Sequence, residues 1–262
     1  LMSTIPAMVA GVKNITIFAP SNAGKINPAV LYCAKICGIE KIYKIGGAQA
    51  ISAMAHGTAT ISAVDKIVGP GNSYVALAKK SLFGKVGIDM IAGPTDITII
   101  ADNSANPEWV AIDALSQLEH GIDSKAFIIC DNQEIADKIN QFINKHYPQL
   151  SRHQIIEQSL KNSAIFVISD INEAHFLVNL IAPEHLEICT ENPLQILNKI
   201  HNAGAIFLGN YSPEAIGDYM AGPSHTLPTS GTARFQSGLS VYDFLKRISL
   251  ISCTKESFLQ LQ

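Results

Sequence analysis

The chain has 262 residues, and at roughly 150 residues per domain that length suggests one or two domains. Hydrophobic residues make up 47% and charged residues 16%, which excludes a disordered chain and a coiled coil. Lys plus Arg is 19 and Asp plus Glu is 22, a net charge of -3, so no basic excess is available to neutralise nucleic-acid phosphates.

Short β-branched runs alternate with helical patterns along the chain. Residues 15–18 read as a strand. Residues 28–37 read as a helix, with Pro28 in its first turn and Gly38 as its stop. A strand over 41–45 leads to a helix over 48–56 closed by Gly57. A strand over 64–68 leads to a helix over 72–83. The strand-to-strand distance of about 25 residues is that of βαβ units with a parallel sheet. After the Gly93-Pro94 turn come a strand at 97–101, a helix at 107–120 and a strand at 126–130. Residues 131–163 are more polar, with a helix pattern over 135–144. Strands are expected at 164–169, 186–190 and 205–208, with helices between them at 171–180 and 193–201. This alternation predicts a doubly wound α/β fold, with a soft domain boundary near residue 98.

Apolar runs stop well short of the roughly 20 residues that cross a bilayer, so no membrane span is expected. The five cysteines, Cys33, Cys37, Cys130, Cys189 and Cys253, are odd in number, scattered and without a C-x-x-C pair. That pattern fits a reducing compartment rather than a disulfide framework or a thiolate zinc site. No signal peptide is visible, so a cytoplasmic location is expected. Both ends look cut, because the chain begins at Leu1-Met2-Ser3 and stops at Phe258-Leu259-Gln260 inside helix-like patterns. A fragment of a longer protein is the expectation.

Five places could carry chemistry. Gly46-Gly47-Ala48-Gln49 and Gly69-Pro70-Gly71-Asn72 are strand-to-helix turns, where glycine admits a ligand and the next helix offers free N–H groups. Neither is a full dinucleotide fingerprint, and glycines also serve tight turns alone. Gln117 and His120, three apart near the end of a helix, could share a face toward a cleft while Ile112, Leu115 and Leu118 bury. Glu184 and His185 lie between a helix and a strand, where a carboxyl and an imidazole could both take protons near neutral pH. Asp218 and His225 occupy a Gly/Pro-rich polar loop. The remaining histidines read as surface or packing residues.

Six segments occur in the order and spacing of a known family: Gly46–Ala50, Val64–Asn72, Ile88–Thr95, Ser116–Gly121, Pro183–Leu186, and Ser212 through Asp218 to His225. On these the chain resembles histidinol dehydrogenases. The resemblance implies two Rossmann-like, doubly wound domains with mainly parallel sheets. An NAD-contacting domain would cover 1–98, and a second carrying metal and catalytic residues 99–238. Residues 239–262 would begin a truncated C-terminal helical region. It implies the NAD-dependent four-electron oxidation of L-histidinol to L-histidine through an aldehyde, the last steps of histidine biosynthesis.

His185 would take the alcohol proton and Glu184 would activate water. Gln49 and Asn72 match NAD contacts. Gln117, His120 and Asp218 match zinc ligands, one Zn²⁺ per site. Thr95, Gln117, His120, His185 and Asp218 match substrate contacts, with Thr95 where Ser is common. His225 lies near the site with no firm role. The family also carries an NAD-contacting Tyr before this stretch. After it come a substrate Glu and a zinc His, the latter donated across a homodimer. The fragment alone is therefore expected to bind zinc poorly. A metal-dependent hydrolase using Glu184 and a non-catalytic nucleotide-binding or regulatory domain are the alternatives; NADH formation separates the first from the dehydrogenase, and the second predicts that Glu184→Gln and His185→Asn leave function intact.

Overall fold

The computed structural model describes residues 1–261. Its first half is a run of short elements: α1 (Thr4–Val9), β1 (Ile17–Phe18), α2 (Pro28–Ile36), β2 (Ile42–Tyr43), α3 (Gly47–His56), β3 (Lys66–Ile67), α4 (Ser73–Leu82) and β4 (Gly87–Ile88). β1 pairs with β2 and β3 with β4, both parallel. The expected strands at 15–18, 41–45 and 64–68 are thus present but cut to two residues. Among the described residues they form two separate two-stranded sheets rather than one doubly wound sheet. A small apolar core of Ile51, Ala55, Ile67 and Val86 lies under α3 and α4.

The second half is a single five-stranded parallel sheet. Its elements are β5 (Asp96–Ala101), α5 (Pro107–Leu118), β6 (Lys125–Cys130), α6 (Gln133–His146), α7 (His153–Ser159), β7 (Ala164–Val167), α8 (Ala174–Ile181), β8 (His185–Cys189), α9 (Pro193–Leu197) and β9 (Ala205–Leu208). The strand order β7-β6-β5-β8-β9 reverses at β5, which is the doubly wound topology expected. Residue 98 lies inside β5, so a boundary there would cut the central strand.

Pleating assigns the two faces. Ile97, Ile99, Ala126, Ile128 and Cys189 pack with α5, α6 and α7. Ile100, Ile129, Leu186 and Ile188 pack with α8 and α9. β5 and β8 are buried at every residue, which explains the near-continuous β-branched run of β5, while β8 carries His185 and Glu187 into the interior. His185 and Glu187 share the face of Cys189 and look toward α5. Ile112, expected in the core, is 48% exposed, because α5 buries the stripe of Val110, Ala111, Ala114, Leu115 and Leu118 instead.

Beyond β9 come α10 (Glu214–Tyr219), a 3-10 turn at Val241–Phe244 and α11 (Lys255–Gln260). All five cysteines are free thiols. Among the described residues no helix is long and apolar enough to cross a membrane.

Candidate active site

The amino edge of the five-stranded sheet gathers most of the predicted site residues. Thr95 lies just before β5, His185 opens β8, and Glu184 precedes it. α5 runs back from the carboxyl edge and delivers Gln117 to the same place. The Thr95 hydroxyl donates to Glu184 Oε2 at 2.6 Å, and Gln117 Nε2 donates to Thr95 Oγ1. Gln117 Nε2 is also 3.2 Å from His185 Nδ1. Glu184 and His185 point different ways, as neighbours entering a strand do, yet Thr95 and Gln117 join them into one site.

Local backbone geometry builds this corner. α8 stops at Ala182, which adopts a left-handed conformation with φ 51° and is fully buried. The chain then turns through Pro183 into Glu184, whose N–H donates to Asp96 Oδ2 at 3.2 Å. Gly204 packs so closely that a Cβ there would stand 2.5 Å from the Glu184 carbonyl oxygen.

Burial sets the protonation states. It lifts the Glu184 carboxyl to about 7, against the Thr95 hydrogen bond that pulls it down. It lowers the His185 imidazole to about 4, against the nearby Glu214 carboxylate. His185 Nδ1 faces the Asp96 carbonyl at 3.2 Å. Its Nε2 lies 3.3 Å from His225 Nε2 and 3.6 Å from Glu214 Oε1. His225 Nε2 in turn lies 3.2 Å from Glu214 and 2.8 Å from Asp218. For His225, burial pushes the pKa down but the Glu214 and Asp218 carboxylates outweigh it, and the net shift is upward.

Three predicted placements need correction. α5 ends at Leu118, so His120 sits past the helix rather than on its face. Gln117 is 2% exposed and thus buried inside the cleft wall. Asp218 is helical, one turn after Glu214 in α10, not in a loop. Sequence reasoning missed Glu214 and left His225 without a role. His185, Glu214 and His225 nevertheless place ligand atoms within 4.8 Å of one another. The Glu-x-x-x-Asp spacing of Glu214 and Asp218, which puts both on one helix face, was the available signal.

The group whose ligand atoms converge closely enough for a metal is His185, Glu214 and His225, and single atoms of the expected ligands lie ready beside it. Gln117 Oε1 is buried with no hydrogen-bond partner among the described residues, as an atom reserved for a cation would be. The His120 Nδ1–H faces the Ser116 carbonyl at 3.0 Å, which leaves Nε2 as the coordinating atom. The first half offers room for an anionic ligand. An open cleft of about 450 Å³ is lined by Pro20, Ser21, Lys44, Gly46, Gly47 and Gln49 at the start of α3. Gly46 gives that helix no side-chain cap, so its first N–H groups are free for an anion. Asn72, by contrast, caps α4 by accepting from Val75 N at 3.1 Å.

A doubly wound sheet carrying a buried carboxyl–imidazole pair beside nitrogen and oxygen ligands defines an α/β protein built around an acid–base and metal-ligand site. The family model described as histidinol dehydrogenase matches residues 1–262, and the chain belongs to that family. It is 50% identical over 259 residues to a histidinol dehydrogenase of Rhodospirillum rubrum, covering 98% of this chain and 60% of that protein. It is 51% identical over 257 residues to one of Acinetobacter baylyi, covering 98% and 60% respectively. The crystal structure of histidinol dehydrogenase from Elizabethkingia anophelis is similar, with a TM-score of 0.94 at 46% identity over 99% of this chain and 60% of that one. The chain thus spans about 60% of the length of these relatives.

Proposed function

We propose that the full-length protein is an NAD-dependent, zinc-requiring dehydrogenase that oxidises L-histidinol to L-histidine through the aldehyde. The observation that carries this reading is the hydrogen-bonded run Gln117–Thr95–Glu184 beside the buried His185. When bound, NAD accepts the electron pair of each oxidation and zinc holds and orients the substrate.

His185 acts as the proton acceptor. Its pKa of about 4 keeps the ring neutral at pH 7. With the Nδ1–H turned to the Asp96 carbonyl, Nε2 carries the lone pair that takes the alcohol proton. Glu214, 3.6 Å from Nε2, stabilises the resulting imidazolium. Glu184 acts at the water step. Thr95 holds its Oε2, which leaves Oε1 to draw a proton from the water adding to the aldehyde. A carboxyl poised at about 7 takes and returns a proton near neutral pH at small cost.

Gln117, His120 and Asp218 would hold the zinc, which leaves His185 free to act as base. Gln49 and the open start of α3, with Asn72, would hold the dinucleotide. The family resemblance supports a homodimer whose partner completes the zinc shell, and the net charge of -3 argues against a nucleic-acid partner.

The test uses the full-length protein supplied with zinc, L-histidinol and NAD. The expected result is NADH formation with histidine as product, lost on chelation and restored by zinc. Turnover of histidinol without NAD, or no turnover at all, overturns the reading.

A further inference from the structure

The two glycine turns of the first half are not held alike. The Gly46 turn borders an open cleft. The Gly69 turn is gripped from beneath by an ion pair between Lys79 of α4 and Asp89, just past β4. Their side chains are 2% and 1% exposed. Lys79 Nζ binds Asp89 Oδ1 and also donates to the Gly69 carbonyl at 3.0 Å. Asp89 Oδ2 accepts from Gly69 N–H at 2.7 Å, and Oδ1 accepts from Met90 N–H at 2.6 Å. Gly69 is therefore fixed through both its donor and its acceptor, at a φ of 120° that other residues rarely adopt.

Such a pair is a poor device for stability. Two buried charges recover little more than their desolvation cost, and apolar residues of similar volume commonly serve as well. What hydrocarbon cannot do is bind both polar groups of a loop glycine. The pair also joins two segments with separate duties. One runs from Gly69 through exposed Pro70 and Gly71 to Asn72. The other runs from Asp89 to Gly93 and Thr95, and Gly93 N–H is itself bound to Thr229 Oγ1 at 2.6 Å. Asn72 spends its amide oxygen on capping α4, so the amide NH₂ group is what it offers outward.

We infer that Lys79 and Asp89 are positioning residues for the dinucleotide: they lock the Gly69–Asn72 turn to the segment that ends at Thr95, and so preset Asn72 for binding. The inference rests on the dehydrogenase reading above. A loop ordered in advance does not pay for ordering when its ligand arrives. Loss of the lock should therefore weaken the dinucleotide far more than histidinol.

The experiment compares the full-length, zinc-loaded protein with the double variant Lys79→Met/Asp89→Leu. NAD affinity is measured by calorimetry, the KM for NAD and for histidinol by kinetics, and protection of residues 66–75 by hydrogen exchange. The double variant should melt close to the parent, show an NAD Kd and KM raised about tenfold or more, keep its histidinol KM within about twofold, and exchange the 66–75 segment faster. Asp89→Asn, which keeps an acceptor for Gly69, should lose less. A folded double variant with unchanged NAD affinity overturns the inference. If that variant does not fold, the parent and Asp89→Asn decide: the inference falls if the Gly69 amide of the parent exchanges like a free loop, or if Asp89→Asn leaves both exchange and NAD affinity unaltered. A parent that neither binds NAD nor oxidises histidinol overturns the dehydrogenase reading instead.

Discussion

In the first half, the turns at Gly46 and Gly69 follow two-residue strands and lie at their carboxyl ends, the usual place for ligands in parallel sheets. In the second half, Glu184, His185 and Thr95 crowd the amino end of a five-stranded sheet whose central strands are wholly buried. The first arrangement offers backbone N–H groups and an open cleft, with little core beneath. The second offers side chains whose position is set by strand pairing and by close contact with Gly204 and Asp96. Backbone turns beside an open cleft suit a cofactor that must come and go. Strand starts suit groups that exchange protons, where small displacements are costly.

The largest break in this comparison should come from His185→Asn in the full-length enzyme. It removes the proposed proton acceptor and should lower kcat roughly a thousandfold while leaving NAD affinity in place. A loss below about tenfold would show that the amino edge does not carry the chemistry. Gln49→Ala tests the other region. Loss of one side-chain hydrogen bond at the cleft should raise the NAD KM about tenfold with kcat nearly kept, and steady-state kinetics in both substrates would show it. An equal fall in kcat would erase the distinction between the two regions.

The smallest effect concerns what lies behind the site. Burial, followed by the charge of Glu214, raises Asp113 from its ordinary value of 3.8 to about 6, and burial holds Glu187 well above its usual range. A carboxyl raised in the fold binds its proton more tightly there than when unfolded. Its ionisation therefore costs stability above pH 6, and the cost fades as pH falls toward 4. Asp113→Asn should be about 1–2 kcal/mol more stable than the parent at pH 8, after discounting partial exposure and the altered bond to Glu187, with the gap closing by pH 4. Guanidinium unfolding at the two pH values measures it.

The second half was easier to read from sequence than the first. Strands such as Ile97-Thr98-Ile99-Ile100-Ala101 are unbroken β-branched and apolar runs because both faces are covered. The strands of the first half pair over only two residues, and β4, Gly87–Ile88, has no pattern to detect. Glu184, His185, Gln117 and Thr95 were reached from local spacing and family likeness, but not the hydrogen bonds that link them, since these span 22 to 89 residues of sequence. Glu214 was hidden by its role: an acid at the start of a short helix reads as a solvated end, and only the fold carries it beneath His185. Gly204 was equally silent, because its need for glycine comes from the Glu184 carbonyl twenty residues away.

The left-handed turn at Ala182 has a bearing on fidelity. Alanine, unlike glycine, is strained in that conformation, so the stop is held by the packing around the fully buried Ala182 and not by the residue's own preference. Were the stop to slip by a single position, the pleat would invert and His185 would exchange faces with Leu186. An imidazole would then sit in hydrocarbon and a leucine among the carboxylates. The packing that holds this strained helix stop thus also keeps the reading frame of the whole corner.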